Sequence, residues 1–361
     1  MMKKFKLLSF ALAVILLMGT VTMEANAKYS KQYAIARNTE SNGHGSYFYA
    51  TIQPLNSNWS TTNSSRFILH TTWVGSGQKW IENGFMDGAI AEPGGNLEYH
   101  HGFYTATGSH DNSIGYSEYK IIGPSTADGT SHSFQIQRDG TNSWGVYVDY
   151  TLRRTYNNFA TSCDSIDVGL ETNESTATSA QWNERSIQRL TSSGWKNWGS
   201  GTLSVGSDNV SASWQTKYSA IYTSKSAAKS AFSEISESDT MSADDMPLIT
   251  NPDPVLEGNS EILSGLQMSR SDTVTMFNLE SNGGEVITSE YMTYSDYLSF
   301  DDQATVSTEI AEDRVVFVAQ VYYPDGYEHV RAGFIDHCLA TGIYDAATGE
   351  YLGGSFRSVD R

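Results

Sequence analysis

The sequence predicts an all-β fold, an antiparallel β-sandwich, followed by a small α+β domain. Residues 28–225 contain short runs of β-branched and aromatic residues between clusters of Gly, Asn, Asp and Ser. This alternation is typical of strands and turns. An acidic stretch with several prolines, 226–261, then separates this part from residues 262–361. A chain of this length exceeds what one ordinary core holds, so two domains are expected.

Residues 1–27 have the three parts of a secretory signal peptide. A basic start, Met1 to Lys6, precedes an apolar run from Leu7 to Met18, and the segment ends in Ala25-Asn26-Ala27. This order is typical of export signals. The apolar run is too short to cross a bilayer of roughly 30 Å as a helix. We therefore expect a secreted protein, extracellular or associated with the cell wall, without stable membrane insertion.

Several segments of residues 28–225 read as individual strands. Phe67 to Val74, Phe134 to Arg138 and Trp144 to Leu152 are rich in β-branched and aromatic residues. The break between the second and third runs, Arg138-Asp139-Gly140-Thr141-Asn142-Ser143, indicates a hairpin, because glycine adopts the positive φ of tight turns. Regularly spaced strands of this kind predict a sandwich or barrel.

Charge divides the chain at the same place as composition does. Residues 28–225 hold 14 Lys and Arg against 16 Asp and Glu, whereas residues 226–361 hold 6 against 24. Such different surfaces indicate two domains, joined by an acidic linker at 226–261. The strong acidic excess also argues against nucleic acid as a partner, because phosphates are bound by clustered Lys and Arg.

The last hundred residues are expected to form the small acidic α+β domain. Val315 to Tyr323 predicts a strand, Leu339 to Tyr344 a second, and the turn from Asp345 to Leu352 leads into a third. The Asp-Ala-x-Thr-Gly-Glu turn resembles the ends of PepSY or cystatin-like modules. An ordinary hairpin is the alternative interpretation.

The two cysteines, Cys163 and Cys338, lie one in each part of the chain. Export permits a disulfide, and two thiols allow a single pairing within the chain. An interdomain bridge and two separate thiols both remain open.

A longer stretch of the sandwich carries a family resemblance. It begins at Trp73-Val74-Gly75 and Trp80-Ile81-Glu82-Asn83-Gly84-Phe85. It continues through Leu97 to Tyr104 and the Trp144 strand to Ala180-Gln181-Trp182-Asn183-Glu184. In order and spacing it resembles the glutamic peptidases (eqolisins, peptidase G1). The resemblance implies a concanavalin-A-like sandwich whose concave face receives an extended ligand.

The residues that carry catalysis in that family are not matched here. The family uses a Glu as general base for water and a Gln amide as donor to the oxyanion. The Gln position falls on Glu82, and an ionised carboxylate only accepts hydrogen bonds. Arg185 stands where the catalytic Glu is expected, and Glu184 comes one residue early, which in a strand turns it to the other face. We therefore expect a binding protein.

Two other functions remain open. If a bulge returned Glu184 to the concave face, it could form a carboxylate pair with Glu82 and hydrolyse peptide or glycosidic bonds in acid. Alternatively, the chain is a structural protein of the surface or matrix, with the acidic part providing solubility.

Aromatic residues supply the expected ligand contacts. All eight tryptophans lie in the predicted sandwich, and rings stack on extended ligands. The predicted ligand-binding residues are Trp73, His101, Tyr104, Trp144, Trp195 and Trp198. An extended peptide or a cell-wall glycan is the expected partner. The neighbours His100 and His101 point to opposite faces of a strand, so neither a metal nor another cofactor is predicted.

Overall fold

A computed structural model describes residues 32–359, apart from short gaps and the segment between the two parts. The gaps are 53, 76–77, 111–112, 124–128, 175–177, 182–186, 198–201, 207–210, 216–217, 223–251 and 278. The predicted signal peptide and most of the predicted linker lie outside the described residues.

Twenty-three strands make up most of the described chain. The strands of the first part are β1 (Gln32–Gly43), β2 (Gly45–Thr51), β3 (Ser65–Val74), β4 (Lys79–Ala91), β5 (Leu97–Ser109), β6 (Tyr116–Lys120), β7 (Ser131–Arg138), β8 (Trp144–Val148), β9 (Thr151–Tyr156), β10 (Cys163–Thr172), β11 (Thr178–Gln181), β12 (Ile187–Thr191), β13 (Gly194–Asn197), β14 (Thr202–Gly206), β15 (Ser211–Gln215) and β16 (Tyr218–Tyr222). The strands of the second part are β17 (Glu285–Thr293), β18 (Val306–Ser307), β19 (Val315–Tyr323), β20 (Tyr327–His329), β21 (Gly333–Ile335), β22 (Cys338–Asp345) and β23 (Tyr351–Ser358).

Helices are few and short. They are α1 (Trp59–Thr62), a 3₁₀ turn (Ser260–Gly265), α2 (Arg270–Met276), α3 (Leu279–Asn282) and α4 (Tyr294–Phe300). Ser269 caps α2 by accepting from the backbone N–H of Asp272, whose side chain accepts in return from the N–H of Ser269; this reciprocal pair fixes where the helix begins. No described helix is long and apolar enough to cross a membrane.

Two antiparallel sheets stack to form the sandwich, as predicted. The larger has eleven strands in the order β14-β1-β10-β3-β4-β5-β6-β23-β22-β19-β17, and the smaller has seven, β13-β12-β2-β7-β8-β9-β18. Phe48, Phe134 and Trp144 of the small sheet meet Phe85 and Phe103 of the large one in a single buried cluster. Alternate residues of each strand face this core, so the other face of the large sheet is left for different contacts.

The predicted strands are confirmed with one correction. Residues 144–152, expected as one strand, form β8, a turn and β9. Asp149 and Tyr150 both adopt positive φ, 52° and 62°, which is the backbone of a two-residue hairpin turn that matches strand twist. The run of apolar and aromatic residues hid this turn, because only Asp149 has a side chain typical of it.

The second part of the chain continues the large sheet. Strand β23 pairs with β6 between Phe356 and Tyr116 at one end and Gly353 and Tyr119 at the other. Strands β22, β19 and β17 then follow in order. The domain boundaries at 225 and 262 remain a prediction, but the strands predicted on either side of them share one hydrogen-bonded sheet.

Buried ion pairs and hydrogen bonds also join the two parts. The carboxylate of Glu309 accepts from Arg153 at 3.1 Å and from the backbone N–H groups of Ile122 and Gly123. Arg154, buried beside it, donates to the carbonyl of Thr305 at 2.9 Å. Strand β18 adds two residue pairs to the edge of β9 in the small sheet. The second part therefore contacts both layers of the sandwich.

Cys163 and Cys338 are both buried, in different hydrophobic clusters, and they do not form a disulfide with each other. The sequence left open a disulfide or two separate thiols, and the structure contains two separate thiols.

Candidate functional site

The outward face of the large sheet, the one predicted to be concave, carries a row of charged side chains. The strand register places Asp167, Thr71, Glu82, Ala106 and Glu118 side by side on the neighbouring strands β10, β3, β4, β5 and β6. Residues opposite each other on adjacent strands share a face. The sheet thus gathers three carboxylates in one line across its centre, with the short Ala106 between two of them.

A hairpin from the second part of the chain covers one end of this row. Strands β20 and β21 form a separate two-stranded sheet, and the turn between them carries Arg331. We call residues 327–335 the arginine hairpin. The rings of Tyr327 and His329 pack on Phe356, and His329 also packs on Tyr116. These contacts seat the hairpin on the large sheet at β6 and β23.

The Arg331 guanidinium meets three carboxylates at once. It donates to Glu82 at 2.7 Å and to Glu118 at 3.1 Å, and lies 3.4 Å from Glu171. It also donates to the hydroxyl of Tyr116 at 3.2 Å. Only 5% of Arg331 is exposed. A guanidinium presents several donors in one plane, so it can satisfy several acceptors that an ammonium group could not.

Aromatic rings complete the surroundings of this arginine. Its guanidinium carbon lies 4.0 Å from the ring centre of Phe67 and 5.2 Å from that of Tyr104. A cation over a ring face is attracted by the ring quadrupole, more strongly when water is excluded. The concave face therefore binds this guanidinium by one arrangement: a ring below and carboxylates at the edge.

Glu82, the predicted catalytic residue, is fully engaged. One oxygen accepts from the Tyr104 hydroxyl and from Arg331, both at 2.7 Å. The other oxygen accepts from the Thr71 hydroxyl at 2.7 Å. Glu82 is 5% exposed. Both oxygens of Glu82 therefore accept hydrogen bonds from side chains of the protein itself, one of them from a buried guanidinium.

The pKa values of the surrounding groups follow from burial and from this crowding of charge. Burial raises the pKa of the Glu118 carboxyl above its ordinary value, although Arg331 opposes the shift. Burial raises the pKa of the Tyr116 hydroxyl well above its usual range. Burial alone would lower the pKa of Arg331, but Tyr116, Glu82 and Glu171 raise it, so the guanidinium stays charged.

Beside the arginine hairpin, the concave face remains open as a cleft. Its volume is about 470 Å³, within the range of small-molecule and side-chain pockets. Strands β1, β10, β3, β4 and β5 form its floor, and the hairpin forms one wall. It is lined by Tyr33, Ile35, Arg37, Leu69, Thr71, Trp73, Trp80, Glu82, Gly108, Ser109, His110, Gly115, Tyr116, Asp167, Glu171, Arg331 and Ala332.

Trp73 stands at the open end of this cleft with a second arginine. Arg37 donates to both oxygens of Asp167, and its guanidinium carbon lies 5.2 Å from the Trp73 ring centre. The Trp73 indole N–H donates to Asp167 at 2.7 Å, and the His110 ring stacks on the indole at 4.9 Å. Arg37 thus has the same kind of surroundings as Arg331, an aromatic ring and a carboxylate, but in a more exposed position.

Trp80 lies next to Trp73 across the strand pair β3 and β4. Its ring rests on Gly108, where an added Cβ would come within 2.7 Å of the indole. Only glycine at 108 lets the indole lie flat against β5. Half-buried and tilted against Tyr116 at 6.0 Å, Trp80 forms an aromatic floor between the two arginine sites.

The remaining predicted ligand residues lie elsewhere. Trp144 is wrong as a concave-face residue: its ring is completely buried in the core between the sheets. His101 packs edge-on against Phe85, which faces that same core. Trp195 lies on the small sheet, edge-on to Tyr47. Alternation along the strands puts these rings on surfaces other than that of Glu82.

Of the predicted set, the structure brings together Glu82, Tyr104 and Trp73. Tyr104 is buried beneath Arg331, whereas Trp73 lines the open cleft. Glu184 and Trp198 lie outside the described residues. Among the described residues, no group of three His, Cys, Asp or Glu side chains is placed to hold a metal ion.

Sequence reasoning missed Arg331, the centre of the site. It is 249 positions from Glu82 in the chain, and nothing near it forms a recognisable motif. The one available signal was charge: residues 226–361 contain only 6 basic residues, and strands that place carboxylates on one face require a cation nearby.

No family model and no curated protein matches this chain. Solved structures similar to it include the scytalido-glutamic peptidase with a peptide-based transition-state analogue, at 7% identity and a TM-score of 0.32, covering 54% of this chain and 97% of the peptidase. SCP-B, an eqolisin-family peptidase in complex with the tripeptide Ala-Ile-His, is similar at 6% identity and a TM-score of 0.30, with 54% and 97% covered.

A polysaccharide-degrading sandwich is also among the similar structures. The kappa-carrageenase from Pseudoalteromonas carrageenovora, with an oligotetrasaccharide of kappa-carrageenan, is similar at 8% identity and a TM-score of 0.20, covering 51% of this chain and 58% of the enzyme. The two-sheet architecture of this chain is established by its own strand pairing.

Proposed function

We propose that this chain is an exported binding protein that holds an extended peptide or glycan in the concave cleft without cleaving it. The engagement of Glu82 supports this most directly. Both of its oxygens accept short hydrogen bonds, one of them from a charged and buried arginine. That arginine is fixed by two further carboxylates, so neither group is available to a substrate.

The open part of the cleft supports binding. Two half-buried tryptophans, Trp73 and Trp80, lie side by side along its floor. Broad rings bury a large apolar area and hold a ligand at little entropic cost, because each has only two rotatable side-chain bonds. A polymer lying across the strands would contact both rings in succession.

Tryptophan fluorescence tests this proposal. Short peptides and cell-wall glycan fragments are titrated into the wild-type protein and into Trp73→Ala. We expect a saturable change in emission whose apparent affinity falls by about tenfold or more in the variant, as for an aromatic anchor at a binding site.

Trp59→Ala is the matched control. Trp59 is also half-buried, but it packs on Tyr99 and does not line the cleft. Binding that is unchanged in Trp73→Ala, or equally reduced in Trp59→Ala, would place the ligand elsewhere and contradict the proposal.

A further inference from the structure

We infer that the chain carries a second reactive site, outside the cleft, in which the Thr130 hydroxyl is a nucleophile toward small carboxylic esters. The site lies at the end of the small sheet where β7 begins and β8 leads into its turn to β9. None of its residues lines the cleft, so this site and the proposed binding function stand independently.

Three side chains at this end of the sheet form a continuous chain of hydrogen bonds. The hydroxyl of Thr130 lies 2.8 Å from Nε2 of the His132 ring, and Nδ1 of the same ring lies 2.7 Å from Oδ2 of Asp149. An alcohol, an imidazole and a carboxylate in this order are the groups of a nucleophile, its base and the residue that orients the base. Such a set is recognised by geometry, since unrelated folds place it at different positions in the chain.

The carboxylate decides which nitrogen of the imidazole carries the proton. An ionised carboxylate only accepts hydrogen bonds, so Nδ1 of a neutral His132 ring donates to Asp149. Nε2 is then the acceptor, and the Thr130 hydroxyl donates to it. In this tautomer the imidazole can remove the proton of the hydroxyl as the oxygen attacks.

Backbone hydrogen bonds hold both ends of this chain in place. The second oxygen of Asp149 accepts from the backbone N–H of Ser133 at 3.0 Å. The carbonyl of Thr130 accepts from the N–H of Ile52, and the N–H of Gly129 donates to the carbonyl of Ile52, both at 2.8 Å. The nucleophile and the orienting carboxylate are therefore positioned before any substrate arrives, which removes part of the entropic cost of reaction.

The hydroxyl is accessible although its base is shielded. Thr130 is exposed, whereas His132 is buried and packs edge-on against Phe103 at 4.9 Å. Gly129, directly before Thr130, has a φ of +86°, and a Cβ added there would meet no atom of a described residue within 4 Å. This open space beside the hydroxyl leaves room for a small substrate.

The reaction that these groups support is transfer of an acyl group from an ester. The Thr130 oxygen forms a bond to the carbonyl carbon while its proton passes to Nε2 of His132. The bond to the leaving alcohol then breaks, and the alcohol oxygen takes that proton. Water repeats both steps and releases the carboxylic acid, which restores Thr130. Esters are the expected class because an alcohol oxygen leaves more readily than an amine nitrogen.

A fluorophosphonate reagent tests for this activated hydroxyl. The Thr130 oxygen would displace fluoride and form a stable bond to phosphorus, and mass spectrometry of the digested protein locates the label. We expect a single label, at Thr130. It should be lost in Thr130→Val and kept in Thr130→Ser. Asp149→Asn should lower the maximal labelling rate about a hundredfold or more. The reagent concentration that gives half the maximal rate should not change, because Asp149 touches the base and not the reagent.

Ser131→Ala is the matched control. Ser131 adjoins Thr130, but its hydroxyl bonds to that of Thr51 at 2.8 Å, so labelling of this variant should equal that of the wild type. Urea unfolding checks the fold of each variant, and the position of the label in the wild type requires no variant. An unlabelled wild type, a label at another residue, or an unchanged rate in Asp149→Asn would overturn the inference. All three outcomes leave the binding function of the cleft standing.

Discussion

Two arginines on the same face of one sheet show how differently a fold can use the same chemistry. Arg331 is 5% exposed and faces three carboxylates. Arg37 has 40% of its side chain exposed and pairs with Asp167 alone. Each lies over an aromatic ring.

The difference lies in what covers each site. The arginine hairpin seals the inner site from water, so its ion pairs are buried in the folded protein. The outer site borders the open cleft, where water, salt and ligands compete for the same groups. One end of this face therefore joins the two parts of the chain, and the other end is open to solvent, where we propose that the ligand binds.

Replacing each arginine in turn should give very different losses in the free energy of unfolding, because one site is buried and the other is exposed. Arg331→Ala removes the cation shared by the buried Glu82 and Glu118 and should lower the free energy of unfolding by about 3 to 5 kcal/mol. Arg37→Ala breaks a partly exposed pair and should cost about 1 kcal/mol or less. Urea unfolding measures both values. Similar losses for the two variants would contradict the distinction.

Acid should destabilise the face of β3 that is opposite the arginine sites. His70 is completely buried, and burial lowers the pKa of its imidazole from 6.5 to about 4. The unfolded chain therefore takes up a proton that the folded chain refuses. Stability contributed by neutral His70 is present above pH 6.5 and is lost as the pH falls to 4, by about 3 kcal/mol.

His70→Gln isolates this effect. Glutamine keeps a donor for the Asn83 side chain, which His70 contacts at 2.9 Å, but does not titrate. Buried carboxyls such as Glu118, whose pKa is raised, act in the opposite sense in both proteins and cancel in the difference. The gap in unfolding free energy between wild type and variant should shrink from pH 7 to pH 4; a constant gap would refute the assignment.

The smallest expected effect concerns the aromatic floor. Gly108→Ala places a methyl group within 2.7 Å of the Trp80 ring, so the indole must tilt. We expect the affinity for the peptides or glycan fragments of the fluorescence titration to fall a few-fold, with a change in stability of about 1 kcal/mol or less, since the cleft is half open. Gly140→Ala, in the β7–β8 hairpin loop with its nearest neighbour at 3.4 Å, should change neither; unaltered binding in Gly108→Ala would remove Trp80 from the site.

The sequence predicted the local structure far better than the site. Strand β19 begins and ends where predicted, at Val315 and Tyr323, because apolar patterning and turn residues act over a few positions. The face assigned to Trp144 was wrong, because the ring lies in the core between the sheets. Trp144 and Tyr104 are both aromatic strand residues, yet only the register shows that one enters the core and the other lies under Arg331.

The features that the sequence did not predict depend on pairing between distant parts of the chain. The strands of the second part are recognisable one by one, but their addition to β6 depends on four residue pairs between segments more than 200 positions apart. The pairing of β23 with β6 also places Arg331 next to Glu82. No local sequence pattern predicts this contact, because it depends on the topology of the whole sheet. The sequence did indicate one chemical feature of the site. Position 82 carries a carboxylate, which only accepts hydrogen bonds, where the resemblance leads one to expect an amide donor.

Incubation with acid-denatured casein across pH 3 to 6 tests whether Glu82, held by Arg331, takes part in catalysis. We predict no cleavage by the wild-type protein at any pH in this range, and none by Glu82→Gln. Cleavage by the wild type that disappears in Glu82→Gln would show instead that Glu82 exchanges protons with a substrate.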